Sequence, residues 1–205
     1  MDIGIIKDIL AVCRRLDQKG VVNAYEGNIS VLKNGLMYIT PAGKNKAFLD
    51  ERMICVLEEN GLKQVGGIFP PSSEIPLHFN SYRTRPDIGA VIHCHPPYLT
   101  AHALNHMPLE TKAYPEMIGN FKKIPLAPYG RPGTAEIFEP ARELIKLHDG
   151  VLLANHGILV VGTDVYAAMN KVEAMEAIAR TLSIARRIGR TVDLPDEECE
   201  FFLSK

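Results

Sequence analysis

The chain has 205 residues, 46% of them hydrophobic and 23% charged, and its 23 Lys plus Arg against 24 Asp plus Glu leave a formal charge of −1. That apolar content excludes a disordered chain, and at about 150 residues per domain the length favours one domain over residues 1–205. The near-neutral balance lacks the basic surplus with which nucleic-acid binders meet phosphates, so no nucleic-acid partner is expected.

No apolar run reaches the roughly 18 residues of a membrane span, and the start Met1-Asp2-Ile3-Gly4 is acidic and amphipathic. Neither membrane contact nor a secretory leader is expected. Cys13, Cys55, Cys94 and Cys199 are scattered without a C-x-x-C pair. They read as free thiols of a cytoplasmic protein, Cys199 being the most exposed.

In chain order, Ile3, Ile6, Ile9, Leu10, Cys13 and Leu16 recur at helical spacing, with Asp2 to cap the helix and Gly20 to end it. A loop over 23–28 leads to strands at 29–32 and 36–40 across an Asn34-Gly35 turn, and a third strand at 54–58 precedes Asn60-Gly61. Phe69-Pro70-Pro71-Ser72-Ser73 excludes regular structure and feeds a helix over 74–83 that the serines can cap. Further on the patterns predict a buried strand at 90–95, a helix at 98–105 and a strand at 123–127. Residues 109–121 show no clean period. Thr134 is placed to cap a helix running to about Leu147, followed by strands at 151–154 and 158–161 and a long helix over 164–187. Interleaved strands and helices with hairpin turns indicate an α/β protein whose mixed, mostly antiparallel sheet is covered by helices.

The strongest chemical signal is Val91-Ile92-His93-Cys94-His95. Residues two apart on a strand share a face, so His93 and His95 converge while Cys94 points away. Two adjacent imidazoles suit a borderline metal such as zinc, or are hydrogen-bonded at a strand end. His156, in Leu153-Ala154-Asn155-His156-Gly157, falls between two predicted strands and is a third candidate. Three histidines with an open fourth position make a catalytic zinc site. His78, His102, His106 and His148 read as surface or packing residues.

Pro71-Ser72-Ser73-Glu74 places two hydroxyls at a helix N-terminus, an anion-binding arrangement. Glu74 there either complements the helix dipole or serves as a general base beside a metal. Gly27-Asn28-Ile29-Ser30 and Thr40-Pro41-Ala42-Gly43-Lys44 are turns with small residues and free amides. Neither has the spacing of a nucleotide-binding loop.

Together, G-N-I-S, T-P-A-G, P-S-S-E, the H-x-H strand, A-P-Y before Gly-Thr, and N-H-G stand in an order and spacing that resembles the class II aldolase/adducin family, from about residue 8 to 188. The resemblance implies a three-layer α/β/α fold and a homotetramer with active sites between subunits. It implies zinc, or another divalent transition metal, on His93, His95 and His156, and a catalytic carboxylate at Glu74. Asn28, Gly43, Ser72 and Ser73 match phosphate-binding positions. Tyr114 matches a tyrosine reaching a neighbouring subunit's site. Where the family aldolase carries Thr this chain has Ala42, and Lys44 or Lys46 is the cation that could compensate.

The implied reaction is reversible cleavage of a ketose 1-phosphate to dihydroxyacetone phosphate and an aldehyde. Glu116 matches an acid/base glutamate of related dehydratases, which keeps 4-epimerisation or dehydration on the same metal scaffold as alternatives. A non-catalytic, adducin-like module is the remaining one. The acidic tail with Phe201 and Phe202 either closes over the site or packs.

Overall fold

The first helix forms over Ile3–Gln18 (α1) in a computed structural model that describes residues 1–23 and 25–204. Asp2 caps it, its carboxylate accepting from the amides of Gly4 and Ile5. Seven apolar residues from Ile5 to Leu16 face inward, as their spacing requires.

Eight strands follow: Asn28–Lys33 (β1), Leu36–Ile39 (β2), Cys55–Glu58 (β3), Gln64–Gly66 (β4), Ala90–Cys94 (β5), Leu126–Ala127 (β6), Gly150–Leu153 (β7) and Gly157–Gly162 (β8). They form one sheet in the order β4-β3-β2-β1-β5-β8-β7-β6. Every pairing is antiparallel except β6 with β7. The mixed sheet expected from the hairpin signals is therefore present.

Alternation along β5 and β8 feeds two cores. Ile92, Cys94, Ile158 and Val160 pack beneath α1, Pro97–Leu104 (α3) and Val165–Ile188 (α6). Val91, Leu159 and Val161 face Ile75–Thr84 (α2) and Arg142–Ile145 (α5), where Leu77, Phe138 and Ile145 close the layer. Helices cover both faces, giving three layers.

Several expectations are corrected. The helix from Thr134 to Leu147 is instead two 3₁₀ turns, Ala135–Ile137 and Glu139–Ala141, and the single turn α5. Thr134 does cap the first turn, but Pro140 has no amide to continue a helix through it. The strand over 123–127 shrinks to β6 because Pro125 interrupts the ladder, leaving Ile124 in an isolated bridge to Leu109. Residues 109–121 contain a short helix, Pro115–Asn120 (α4), started by Pro115. The tail forms a helix, Asp196–Leu203 (α7), that packs on α4 and buries Cys199. Cys199 is thus inside, and all four cysteines are free and buried. No helix among the described residues is long and apolar enough to cross a membrane.

Candidate metal centre and substrate pocket

β5 delivers His93 to the α2 side of the sheet, and His95 follows one residue past its end. The His93 Nδ1–H donates to the carbonyl of Ile158 at 2.9 Å, which leaves the Nε2 lone pair pointing inward. His95 Nε2 lies 2.9 Å from that nitrogen. The ring of His156 completes the cluster at 4.6 and 4.7 Å from the other two centroids, and one nitrogen from each histidine lies within 4.8 Å of the others. Cys94 points into the opposite core, where burial pushes its thiol up, as its alternate position on the strand requires.

The turn carrying His156 is specified locally. Asn155 adopts a left-handed conformation, φ 58°, and its side-chain oxygen accepts from His106 Nε2 at 2.7 Å. A Cβ on Gly157 would sit 2.4 Å from the His95 ring and 2.5 Å from the Cys94 carbonyl, so only glycine lets the two histidine segments approach.

Glu74 is the N-cap of α2 rather than a residue of its first turn, and its side chain makes no capping bond. Ser72 Oγ takes that role in part, accepting from the Glu74 amide at 3.2 Å. The carboxylate turns instead toward the histidines: Oε2 is 3.4 Å from His93 Nε2 and Oε1 is 3.6 Å from His156 Nε2. Asn28 Nδ2 donates to Oε2 at 2.6 Å. Behind Asn28 runs a buried chain: His78 Nε2–H donates to Asn28 Oδ1, Ser30 Oγ lies 2.7 Å from His78 Nδ1, and Tyr82 OH lies 2.8 Å from Ser30 Oγ. An amide oxygen only accepts, so His78 carries its proton at Nε2 and accepts a hydrogen bond from the Ser30 hydroxyl at Nδ1.

Burial holds the imidazole of His78 neutral, down to about 3, against the opposing pull of Glu74. Burial likewise lowers His93 to about 3, helped by His95, and His156 to about 4, helped by His93. Neutral imidazole is the metal-binding form. His156 Nδ1 is buried without a hydrogen-bond partner, and the His93 and His95 nitrogens face each other across a gap that a cation would fill. The residues present therefore fit a metal ion.

Beside the cluster lies a cavity of about 220 Å³ into which His95, His156 and Glu74 open. Asn28, Gly43, Ser72 and Ser73 line it. Two turns form this wall and are pinned together: Ala42 N–H donates to the Pro70 carbonyl at 3.0 Å and Ser72 N–H to the Thr40 carbonyl at 3.2 Å. Gly43 is left-handed, φ 60°.

Three expected site residues lie elsewhere. Lys44 points away and holds its ammonium 4.0 Å over the Phe69 ring, whereas Lys46 lines the cavity. Tyr114 caps α4 half-buried against the α1–α3–α6 core, and Glu116 is exposed in the first turn of α4. Neither lines the cavity of its own chain. Sequence reasoning missed Glu26, 3.6 Å from His95 Nδ1, and both His78 and His106 as supporting residues. One signal was available: Glu74, His78 and Tyr82 recur every four residues, a single stripe on a helix.

Fold and site together define an α/β protein in which three histidines able to hold a metal ion border a small polar pocket at the strand ends. The chain belongs to the class II aldolase family: the profile described as Class II Aldolase and Adducin N-terminal domain matches residues 7–183. An L-fuculose phosphate aldolase of Methanococcus maripaludis is 33% identical over 175 residues, 85% of this chain and 94% of that protein. A solved L-fuculose 1-phosphate aldolase superposes with a TM-score of 0.90 at 33% identity, covering 100% of this chain and 96% of the other. A 3-oxo-tetronate 4-phosphate decarboxylase of Pectobacterium atrosepticum is 31% identical over 82% of this chain and 78% of its own length.

Proposed function

We propose that the protein is a metal-dependent aldolase that reversibly cleaves a ketose 1-phosphate, such as L-fuculose 1-phosphate, to dihydroxyacetone phosphate and an aldehyde. The observation that carries this reading is the Glu74 carboxylate held 3.4 and 3.6 Å from two of three convergent histidines. His93, His95 and His156 hold the metal, zinc or another divalent transition ion. When bound it supplies a Lewis acid that polarises the substrate carbonyl.

Glu74 moves the proton at the carbon next to that carbonyl. Asn28 holds one carboxylate oxygen, so the other stays free for the transfer. The hydroxyls of Ser72 and Ser73, the Asn28 amide and the Gly43 backbone take the phosphate, and this remote binding orients the reacting end. A Schiff-base lysine is not needed where a metal provides the electron sink. The four free, buried cysteines support a cytoplasmic setting.

Since Tyr114 does not line its own chain's cavity, we take it to serve a neighbouring subunit of a homotetramer, exchanging a proton with the aldehyde oxygen. Mixing inactive Tyr114→Phe with inactive Glu74→Gln would then regenerate sites with both native groups and recover turnover. Lack of recovery after demonstrated subunit exchange sinks that assignment.

The 31% identity to a decarboxylase favours a second reading on the same residues, since both reactions break a carbon–carbon bond beside a carbonyl. The deciding experiment measures triose-phosphate release from a panel of ketose 1-phosphates, with and without added metal. Carbon dioxide release from a 3-oxo acid phosphate, without triose phosphate from any ketose, would overturn the aldolase reading.

A further inference from the structure

Lys46 is an anomaly in the pocket wall. It sits in a 3₁₀ turn, Lys46–Phe48, that packs on α1, and only 3% of its surface is exposed. Lysine is almost never this buried without a partner, because an ammonium taken out of water loses its hydration. Yet among the described residues it makes no hydrogen bond or ion pair. Burial pulls the ammonium below its ordinary range, outweighing Cys13, Glu74 and Glu26, which favour its charge only from a distance. The other nearby cation, Lys44, is occupied by the Phe69 ring.

What Lys46 does touch is the cavity, which it shares with Gly43, Ser72 and Ser73. The Ser73 hydroxyl and the Gly43 amide also have no hydrogen-bond partner among the described residues. A buried cation and two solvent-facing donors therefore border one small space.

We propose that Lys46 is the charged anchor of this subsite and binds the phosphoryl dianion of the substrate. This rests on the reading of the substrate as a phosphate ester. The ligand supplies a close counter-charge where Glu74 and Glu26, which line the same cavity, act only from a distance. A point charge on a flexible stem suits a tetrahedral dianion, whose remaining oxygens meet hydroxyls and backbone amides. The hydroxyl absent at Ala42 leaves room on the same wall, since Ala42 lines the cavity too.

The idea makes a two-signed prediction. Removing a charge that serves only the ligand relieves the empty protein, whereas removing a structural charge harms it. Thermal unfolding of wild type, Lys46→Met and Lys46→Gln should be followed with and without inorganic phosphate, alongside calorimetric phosphate titration. Lys46→Met is expected to unfold at a higher temperature than wild type without phosphate. Its phosphate affinity should drop at least tenfold, and the phosphate-induced stabilisation seen in wild type should vanish by mass action. Lys46→Gln reports the same affinity loss if the methionine variant fails to fold. Unchanged phosphate affinity in either folded variant overturns the inference, as does a wild type that does not bind phosphate. Phosphate binding through Lys46 in an enzyme that releases no triose phosphate would instead overturn the proposed reaction and leave this site standing.

Discussion

The Nε2–H of His78 donates to the side-chain oxygen of Asn28, and this one bond decides which way the Asn28 amide faces. With the oxygen committed to His78, the amide nitrogen must point at Glu74, where it donates at 2.6 Å. His78 is itself oriented by Ser30 and, through it, Tyr82. The carboxylate is thus aimed, through Asn28, by three residues that do not line the cavity.

Replacing His78 with Phe should release the Asn28 amide and let Glu74 wander. Turnover should fall about 10–100-fold, the usual cost of losing such a supporting partner, with KM and metal content nearly unchanged. His78→Gln, which can donate and accept at similar positions, should recover part of the loss. Equal losses in kcat and in bound metal would show that His78 merely supports the fold.

Metal content tests the histidine cluster directly. Wild type should carry about one divalent ion per chain, in line with a three-histidine site keeping one position open. His93→Ala and His156→Ala should each purify largely without it. Elemental analysis showing wild-type metal content in both variants defeats the assignment.

Glu74→Gln keeps the size of the side chain and removes only its basicity. Turnover should drop by about 10²–10⁴-fold, the typical worth of a positioned general base. Stability should change little, because the side chain makes no capping bond to its helix. Solvent deuterium exchange into dihydroxyacetone phosphate reads the proton step alone and should fall in parallel.

Acid should destabilise the metal-free protein earlier than its carboxylates would require. His78 is held to about 3 in the folded chain by burial, whereas an unfolded histidine titrates near its ordinary value of 6.5. Between those two values the unfolded state binds a proton that the folded state refuses. Stability is therefore full above 6.5 and lost as pH falls through that window, by up to about 1.4 kcal/mol per pH unit for each such histidine. Denaturant unfolding at pH 7, 6 and 5 checks this. A flat profile, or one equally steep in His78→Gln, contradicts it.

Part of the site was legible because His93 lies on a regular strand and His95 follows directly after it. Period-two alternation alone puts His93 and His95 on one face and Cys94 on the other, and the structure has them so. The Asn34-Gly35 hairpin and the Asp2 cap likewise sit where their residue types demand. What escaped depends on tertiary contact. His78 looked like packing because its partners, Asn28 and Ser30, lie 50 and 48 residues away in the chain. That Lys44 turns away while Lys46 lines the cavity depends on the Phe69 ring, which a turn sequence does not locate. The long helix expected after Thr134 rests on that cap alone and breaks at Pro140, which has no amide to continue it.

The position of β5 in the sheet sets how slowly the metal centre can come apart. It is flanked by β1 on one side and β8 on the other, so His93 sits in a strand bonded along both edges. No fraying of an edge strand can free that side chain. Opening it means parting the middle of the sheet, which is close to unfolding the whole protein. Hydrogen exchange at the amides of Val91 to Cys94 should consequently belong to the slowest class, while the exposed β4 edge exchanges quickly. An ion held here would leave through the mouth of the cavity and not by local melting.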